Sequence, residues 1–200
     1  MKKNRFETFL IGKLVDLVLL DEKVVKKTDW YKWMNFKDNT DLLETGKFPN
    51  TLNDQILYLR NNLDSKKKIL DKNKLSKKLQ LGIVIKESNA LIGMVSAYNF
   101  NYYTRTCTVS LITDLKKNIK NRLLIFKESQ DLFINHIFFK MNFRKIYSGA
   151  ISEELSKLTE KIWGFRREGV QKEHGFVNGK YVDNYILGLF RSDWKKNGNR

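Results

Sequence analysis

Few side chains in this sequence combine a reactive type with a suggestive position. His174 follows Glu173 and precedes Asp183, and an imidazole is suited to base work near neutral pH. His136 lies inside a long apolar run and fits a packed or surface role. Cys107 is the single cysteine, so it has no internal disulfide partner, which agrees with a reducing compartment. It reads as a small buried hydrophobe. One Cys and two His do not suggest a structural zinc site, and no metal is expected.

Cations form two notable groups. Lys116, Lys117, Lys120 and Arg122 stand just before an apolar helical run that opens at Leu123. A helix N-terminus prefers acids, so this placement is mildly unfavourable. These residues are either a solvated loop or side chains that grip an anion. Lys66, Lys67, Lys68, Lys72, Lys74, Lys77 and Lys78 make a second cluster, opposed by Asp71. A lysine-rich stretch is ordinarily a solvated face, and no aromatics are interleaved with these to stack on bases.

The elements that must carry these groups follow from length and pattern. The chain has 200 residues, which suits one domain spanning 1–200. Hydrophobic residues make up 42%, enough for a substantial core. The net charge of +16 fits a polyanionic partner, an acidic small ligand, or compositional drift in a Lys- and Asn-rich chain. No apolar run approaches the roughly 20 residues that span a bilayer. The best early run, 10–20, is broken by Lys13 and Asp16, so a cytoplasmic chain with no membrane partner is expected.

Residues 12–20 read as a first strand. Asp29 is placed to cap a short helix carrying Trp30, Trp33 and Met34, and Thr51 or Asn53 to cap a second. The runs 81–85 and 91–97 read as a hairpin, and 106–112 as a further strand. Residues 123–141 have helical spacing, and 145–150 form a short strand. Ser152 opens a helix that ends before Gly164. Asn178-Gly179 joins 165–176 to 181–190 as a hairpin. The order predicts an α/β (α+β) fold: a mixed, mostly antiparallel sheet of about six to seven strands with about four flanking helices.

This order resembles the GNAT N-acetyltransferases, especially the branch of ribosomal-protein alanine, spermidine and amino-sugar acetyltransferases. Three segments carry the likeness. The first is Trp30-Tyr31-Lys32-Trp33-Met34-Asn35 with Gly46-Lys47-Phe48-Pro49. The second is Phe138 with Lys145-Ile146-Tyr147 and Gly149. The third runs from Gly164-Phe165 through Glu168-Gly169, Asn178-Gly179-Lys180-Tyr181 and Asp183 to Trp194.

The resemblance implies an acetyl-CoA-dependent acyltransferase. The pantetheine arm would lie along 106–113, touching Leu111, Ile112 and Thr113. The pyrophosphate would meet the next helix near Lys120, Arg122, Leu123 and Leu124. The family's glycine-rich phosphate pattern falls here on Ile119, Arg122 and Leu124, so its glycines are absent. Ser156 matches a small residue that faces the cofactor, while Glu153 and Glu160 replace the family's Asn and Tyr. Ser156 and Tyr147 are candidate proton donors, and His174 is the candidate base.

The implied acceptor is a small-molecule primary amine, such as an amino sugar on a nucleotide carrier, or a protein N-terminus. The basic composition disfavours a polyamine. A homodimer is left open. The missing glycines leave a second reading, a catalytically silent GNAT-fold binding module. A basic nucleic-acid-binding protein is a third, although no nucleic-acid motif supports it.

Overall fold

A further strand precedes the one expected over 12–20, which itself narrows to 15–19. In the computed structural model, which describes residues 6–40, 47–62, 77–114 and 119–196, β1 (Thr8–Ile11) pairs antiparallel with β2 (Val15–Leu19). The turn closes through the Gly12 N–H, which donates to the Val15 carbonyl at 2.9 Å. A Cβ on Gly12 would lie 2.5 Å from that carbonyl, so the turn excludes a side chain. The Glu128 carboxylate accepts the N–H groups of Lys13 and Leu14 and holds the turn from outside.

Four helices follow. Asp21 opens α1 (Glu22–Lys27) by accepting the Val24 N–H at 2.8 Å. Asp29 precedes α2 (Trp30–Trp33) but makes no capping bond, contrary to expectation. Its carboxylate is drawn to Lys32 at 2.7 Å, and the Thr28 hydroxyl accepts from the Trp30 N–H at 3.4 Å. After α3 (Lys37–Thr40), α4 (Leu52–Asn62) opens at Thr51 as expected. Thr51 Oγ1 accepts from Asp54 N–H, and the Asp54 carboxylate accepts the Thr51 N–H, a reciprocal cap.

The remaining elements are β3 (Lys78–Ile85), β4 (Ala90–Asn101), β5 (Thr106–Thr113), α5 (Arg122–Asn135), β6 (Lys145–Ala150), α6 (Glu153–Trp163), β7 (Arg166–Val177), β8 (Lys180–Phe190) and α7 (Arg191–Lys196). A π-helical turn, His136–Lys140, extends α5. Ser152 caps α6 through the Leu155 N–H, and Gly164 ends it at φ 74°, in the left-handed region glycine favours. Asn178 and Gly179, both at positive φ, turn β7 into β8. Gly46, Lys116, Lys117 and the lysines from Lys66 to Lys74 lie outside the described residues.

The strands form one sheet of order β1-β2-β3-β4-β5-β6-β8-β7, and β1 is the addition to the expected set. Side chains alternate between its faces, and β2, β3, β4 and β5 feed a core on each. One face packs against α5 through Leu81, Val95, Cys107, Val109, Phe133, Ile137 and Ile146. The other packs against α1, α2 and α4 through Val18, Trp30, Trp33, Leu59 and Met94. Arg167 pairs in register with Leu187, which belongs to the α5 core, and Arg167 touches Ser156. So α6 shares the α5 face. Trp194 is fully buried and donates its indole N–H to Asn135 at 2.8 Å, a packing role.

Candidate functional site

The sheet has one parallel junction among the described residues, between β5 and β6, and it is short. Thr106 pairs with Lys145, Cys107 with Ile146, and Thr108 with Tyr147. Beyond that point residues 109–113 and 148–150 run on without pairing to each other. β5 stays paired to β4 as far as Thr113. Its other edge therefore presents a row of backbone donors and acceptors to a widening cleft. The cleft opens toward the C-terminal ends of both strands, where α5 and α6 begin. Such ends of parallel strands are where α/β sheets place ligands.

The two helix N-termini differ in charge. Glu153 and Glu154 occupy the first turn of α6 and complement its own dipole. The first turn of α5 carries no acid. Lys120 is exposed there and Arg122 half-buried, while Leu123 and Leu124 are 56% and 57% exposed. Asn121 precedes the helix at φ 57° and ψ 35°. A left-handed residue is thus present in this loop, but it falls on Asn121 and not on Arg122. Asn tolerates that region better than most residues.

Of the three cleft residues expected from sequence, Leu111, Ile112 and Thr113 are all half-buried on the unpaired length of β5. Leu111 leans on the α5 core and Ile112 on the opposite core. Tyr147 sits at the last pair before the strands part, on the α4 face. The Lys145 ammonium lies 4.5 Å from its ring centroid and 4.7 Å from that of Phe190, and it meets Glu168 at 2.8 Å. Burial alone would lower the Lys145 pKa, but hydrogen bonds to Glu168 and Tyr147 hold it above the usual lysine value.

Ser156 lies on the other face and is fully buried. Its hydroxyl donates to Glu160 at 2.8 Å and accepts from Arg167 at 3.2 Å. Glu153 is 3.7 Å from the same guanidinium. The Glu residues in the family's Asn and Tyr places thus surround one arginine, which also stacks 4.6 Å over Tyr185. His174 is exposed on β7, beside Glu173 at φ 52°. The Glu173 N–H donates to Asp183, and Lys172 binds the same carboxylate at 2.8 Å. Lys172 first, then the Glu173 N–H, keeps the Asp183 pKa below the ordinary range. Asp183 therefore pins the bulge that carries His174. Near the tip of this hairpin Lys47 donates to the Phe176 carbonyl at 3.3 Å, joining β7 to the turn before α4.

The other titratable candidates are set aside by burial. Desolvation pushes the Cys107 thiol up to about 12, so it is no thiolate near neutral pH. Burial, then the Lys140 charge, lowers the pKa of His136, which stacks edge-on against Phe9.

Sequence reasoning missed several groups. Gln80 is buried on β3, and the expected strand began one residue later, at Leu81. Its signal was a polar residue on the inward phase of an apolar strand, level with Ser96 on β4. Arg167 and Glu168 were legible only as family-like letters, because their partners Ser156 and Lys145 are 11 and 23 residues away.

The architecture is the GNAT fold, a mixed sheet with a parallel junction that splays between two helix N-termini. No family model matches the sequence, and a search of curated proteins finds no relative. Solved structures do match across nearly the whole chain. One is a spermidine N-acetyltransferase from Vibrio cholerae in complex with CoA and spermine, with 20% identity and a TM-score of 0.73 over 92% of this chain and 99% of that one. Another is a ribosomal-protein-S5-alanine acetyltransferase from Vibrio fischeri, with 18% identity and a TM-score of 0.70 over 94% and 98%. A microcin C7 self-immunity acetyltransferase in complex with acetyl-CoA and AMP matches at 17% identity and a TM-score of 0.69 over 90% and 93%. Among the described residues, no helix is long and apolar enough to cross a membrane.

Proposed function

We propose that this chain is an acetyl-CoA-dependent N-acetyltransferase acting on a primary amine. The observation that carries the reading is the unpaired edge of β5 at residues 109–113, opening beside the acid-free N-terminus of α5. A pantetheine arm has amide groups that fit such an edge as an added strand. Leu111, Ile112 and Thr113 would line it. The first-turn amides of α5 would meet the pyrophosphate, with Lys120 and Arg122 supplying charge in place of the close approach that glycines allow. Two of the matched structures hold CoA or acetyl-CoA, which supports the same cofactor.

Bound there, acetyl-CoA would supply an acetyl thioester for attack by the amine. The chain's part is to hold, polarise and move protons. A backbone N–H of the β5 edge is available to the thioester oxygen, where negative charge develops. Tyr147, at the apex of the cleft, is the group we assign to protonate the departing sulfur. Ser156, with its proton held by Glu160, orders α6 and lies along the cofactor's course. His174, on the hairpin that meets Lys47, is the assigned base for the amine, directly or through water. The finer acceptors that fit are an amino sugar on a nucleotide carrier and a protein N-terminus.

Release of free thiol from acetyl-CoA, followed with a panel of primary amines, tests this. Amine-dependent release is expected. Release that no amine stimulates would leave the fold as a binding module.

A further inference from the structure

A cavity of about 330 Å³ lies at the end of the sheet away from the cleft, lined by Arg144, Phe190, Arg191 and Ser192. The cleft opens toward the C-terminal end of β6, whereas Arg144 stands just before β6 and Phe190 pairs with its first residue, Lys145. The Arg191 N–H donates to the Arg144 carbonyl at 2.9 Å, so the backbone fixes the two arginines as neighbours.

Neither guanidinium meets a carboxylate among the described residues, and both are oriented by neutral oxygens. Arg144 Nε donates to the Thr104 carbonyl at 2.9 Å. Arg191 Nη1 donates to Asn142 Oδ1 at 2.8 Å and more weakly to the Phe138 carbonyl at 3.4 Å. The acids on the adjoining strand and helix are held by other cations: Glu168 meets Lys145 at 2.8 Å, and Asp193 meets Arg166 at 3.3 Å. Both arginines at the cavity thus keep their full charge while their planes are held in place. Ser192 is exposed beside them. Phe190 supplies an apolar wall, with the Arg144 guanidinium carbon 5.9 Å from its ring centroid.

Two guanidinium forks without counter-charge, next to a hydroxyl, match a group with close to two negative charges and three acceptor oxygens. A phosphate monoester is such a group near neutral pH. A phosphodiester or a sulfate ester carries one charge and matches less well. The volume exceeds that of a phosphoryl group and falls in the range of small-ligand pockets, roughly 300–1,000 Å³, which leaves room for an attached organic part against Phe190.

We infer that Arg144, Arg191 and Ser192 form a binding site for a small phosphate monoester, separate from the cleft and independent of the acetyl-transfer reading. The test follows backbone amide resonances during titration with phenyl phosphate at about pH 7.5, where the monoester is mostly a dianion. Saturable shifts are expected at residues 142–144 and 190–192, with a Kd of about 1 mM or tighter. Phenyl sulfate, of the same shape and one charge, should bind about 10-fold more weakly. Arg144→Gln and Arg191→Gln should each weaken phenyl phosphate about 10-fold. Ser192→Glu, at an exposed position, should abolish binding by placing a carboxylate at the rim. Arg122→Ala, at the other end of the sheet, should leave the affinity unchanged. Thermal melts identify the variants that fold. An unphosphorylated eight-residue oligouridylate should shift these amides less than phenyl phosphate does. Shifts confined to residues 119–124, equal affinity for phenyl sulfate, tighter binding of the oligouridylate at this face, or an affinity unmoved in every folded variant overturns the inference.

Discussion

Ser156 donates its hydroxyl proton to Glu160 across 2.8 Å, one turn further along α6. The same oxygen accepts from Arg167, so a single buried hydroxyl ties α6 to β7. Removing it leaves Arg167 and Glu160 short of one partner each. Both are about one-third exposed, so water recovers part of the loss. Ser156→Ala should cost about 1 kcal/mol in urea unfolding. Thiol release should stay within about threefold of wild type, since a proton donor contributes far more than that. A loss of 100-fold would place Ser156 in the chemistry.

Tyr147 carries the opposite expectation. It stands at the last β5–β6 pair, where the two strands part. Tyr147→Phe keeps the ring beside Lys145 and removes only the hydroxyl. The variant should still fold, losing about 1 kcal/mol with the hydrogen bond to Lys145, and kcat should fall about 100-fold, a usual size for one proton-transfer group. An unchanged kcat would assign the proton to another group.

Lys145 and Glu168 set a pH dependence of stability. Lys145 is 9% exposed, between the rings of Tyr147 and Phe190. Its pKa is raised in the folded chain, so the folded state binds the proton more tightly than the unfolded one. The associated stability is present below about pH 10.4, the unfolded lysine value, and fades as pH climbs through the folded value. Glu168→Gln should flatten this alkaline limb and cost about 2 kcal/mol, because it leaves a buried ammonium without its counter-charge. That figure sits below the range for fully buried pairs because the Glu168 side chain is 31% exposed. Lys145→Met should cost less, since the thioether can still fill the space between the rings. Urea melts from pH 7 to 11 check both variants.

The fold was legible wherever the sequence carried local rules. Asn178-Gly179 and Gly164 sit at positive φ, and Ser152 caps its helix. Asp29 failed the same kind of rule because a nearby Lys32 competes for its carboxylate. β1 escaped notice because four residues give little period, and its turn depends on Glu128, 116 residues beyond Gly12. At the site, the resemblance pointed to 106–113, but strand pairing decides where that edge loses its neighbour, after Thr108. The left-handed residue before α5 is Asn121, which no glycine spacing marks. The Arg144–Arg191 pair was invisible because its members are far apart in the chain, and only the pairing of β6 with β8 brings them together.

Calorimetric titration of the purified chain with acetyl-CoA tests the central claim most directly. The account predicts saturable heat with one site per chain and a Kd of about 1–100 μM, or roughly −5 to −8 kcal/mol. Arg122→Ala should weaken it several-fold, and added salt should weaken it further, because side-chain charge takes the place of the missing glycines. Absence of heat up to about 1 mM acetyl-CoA, with the protein folded, would contradict the account.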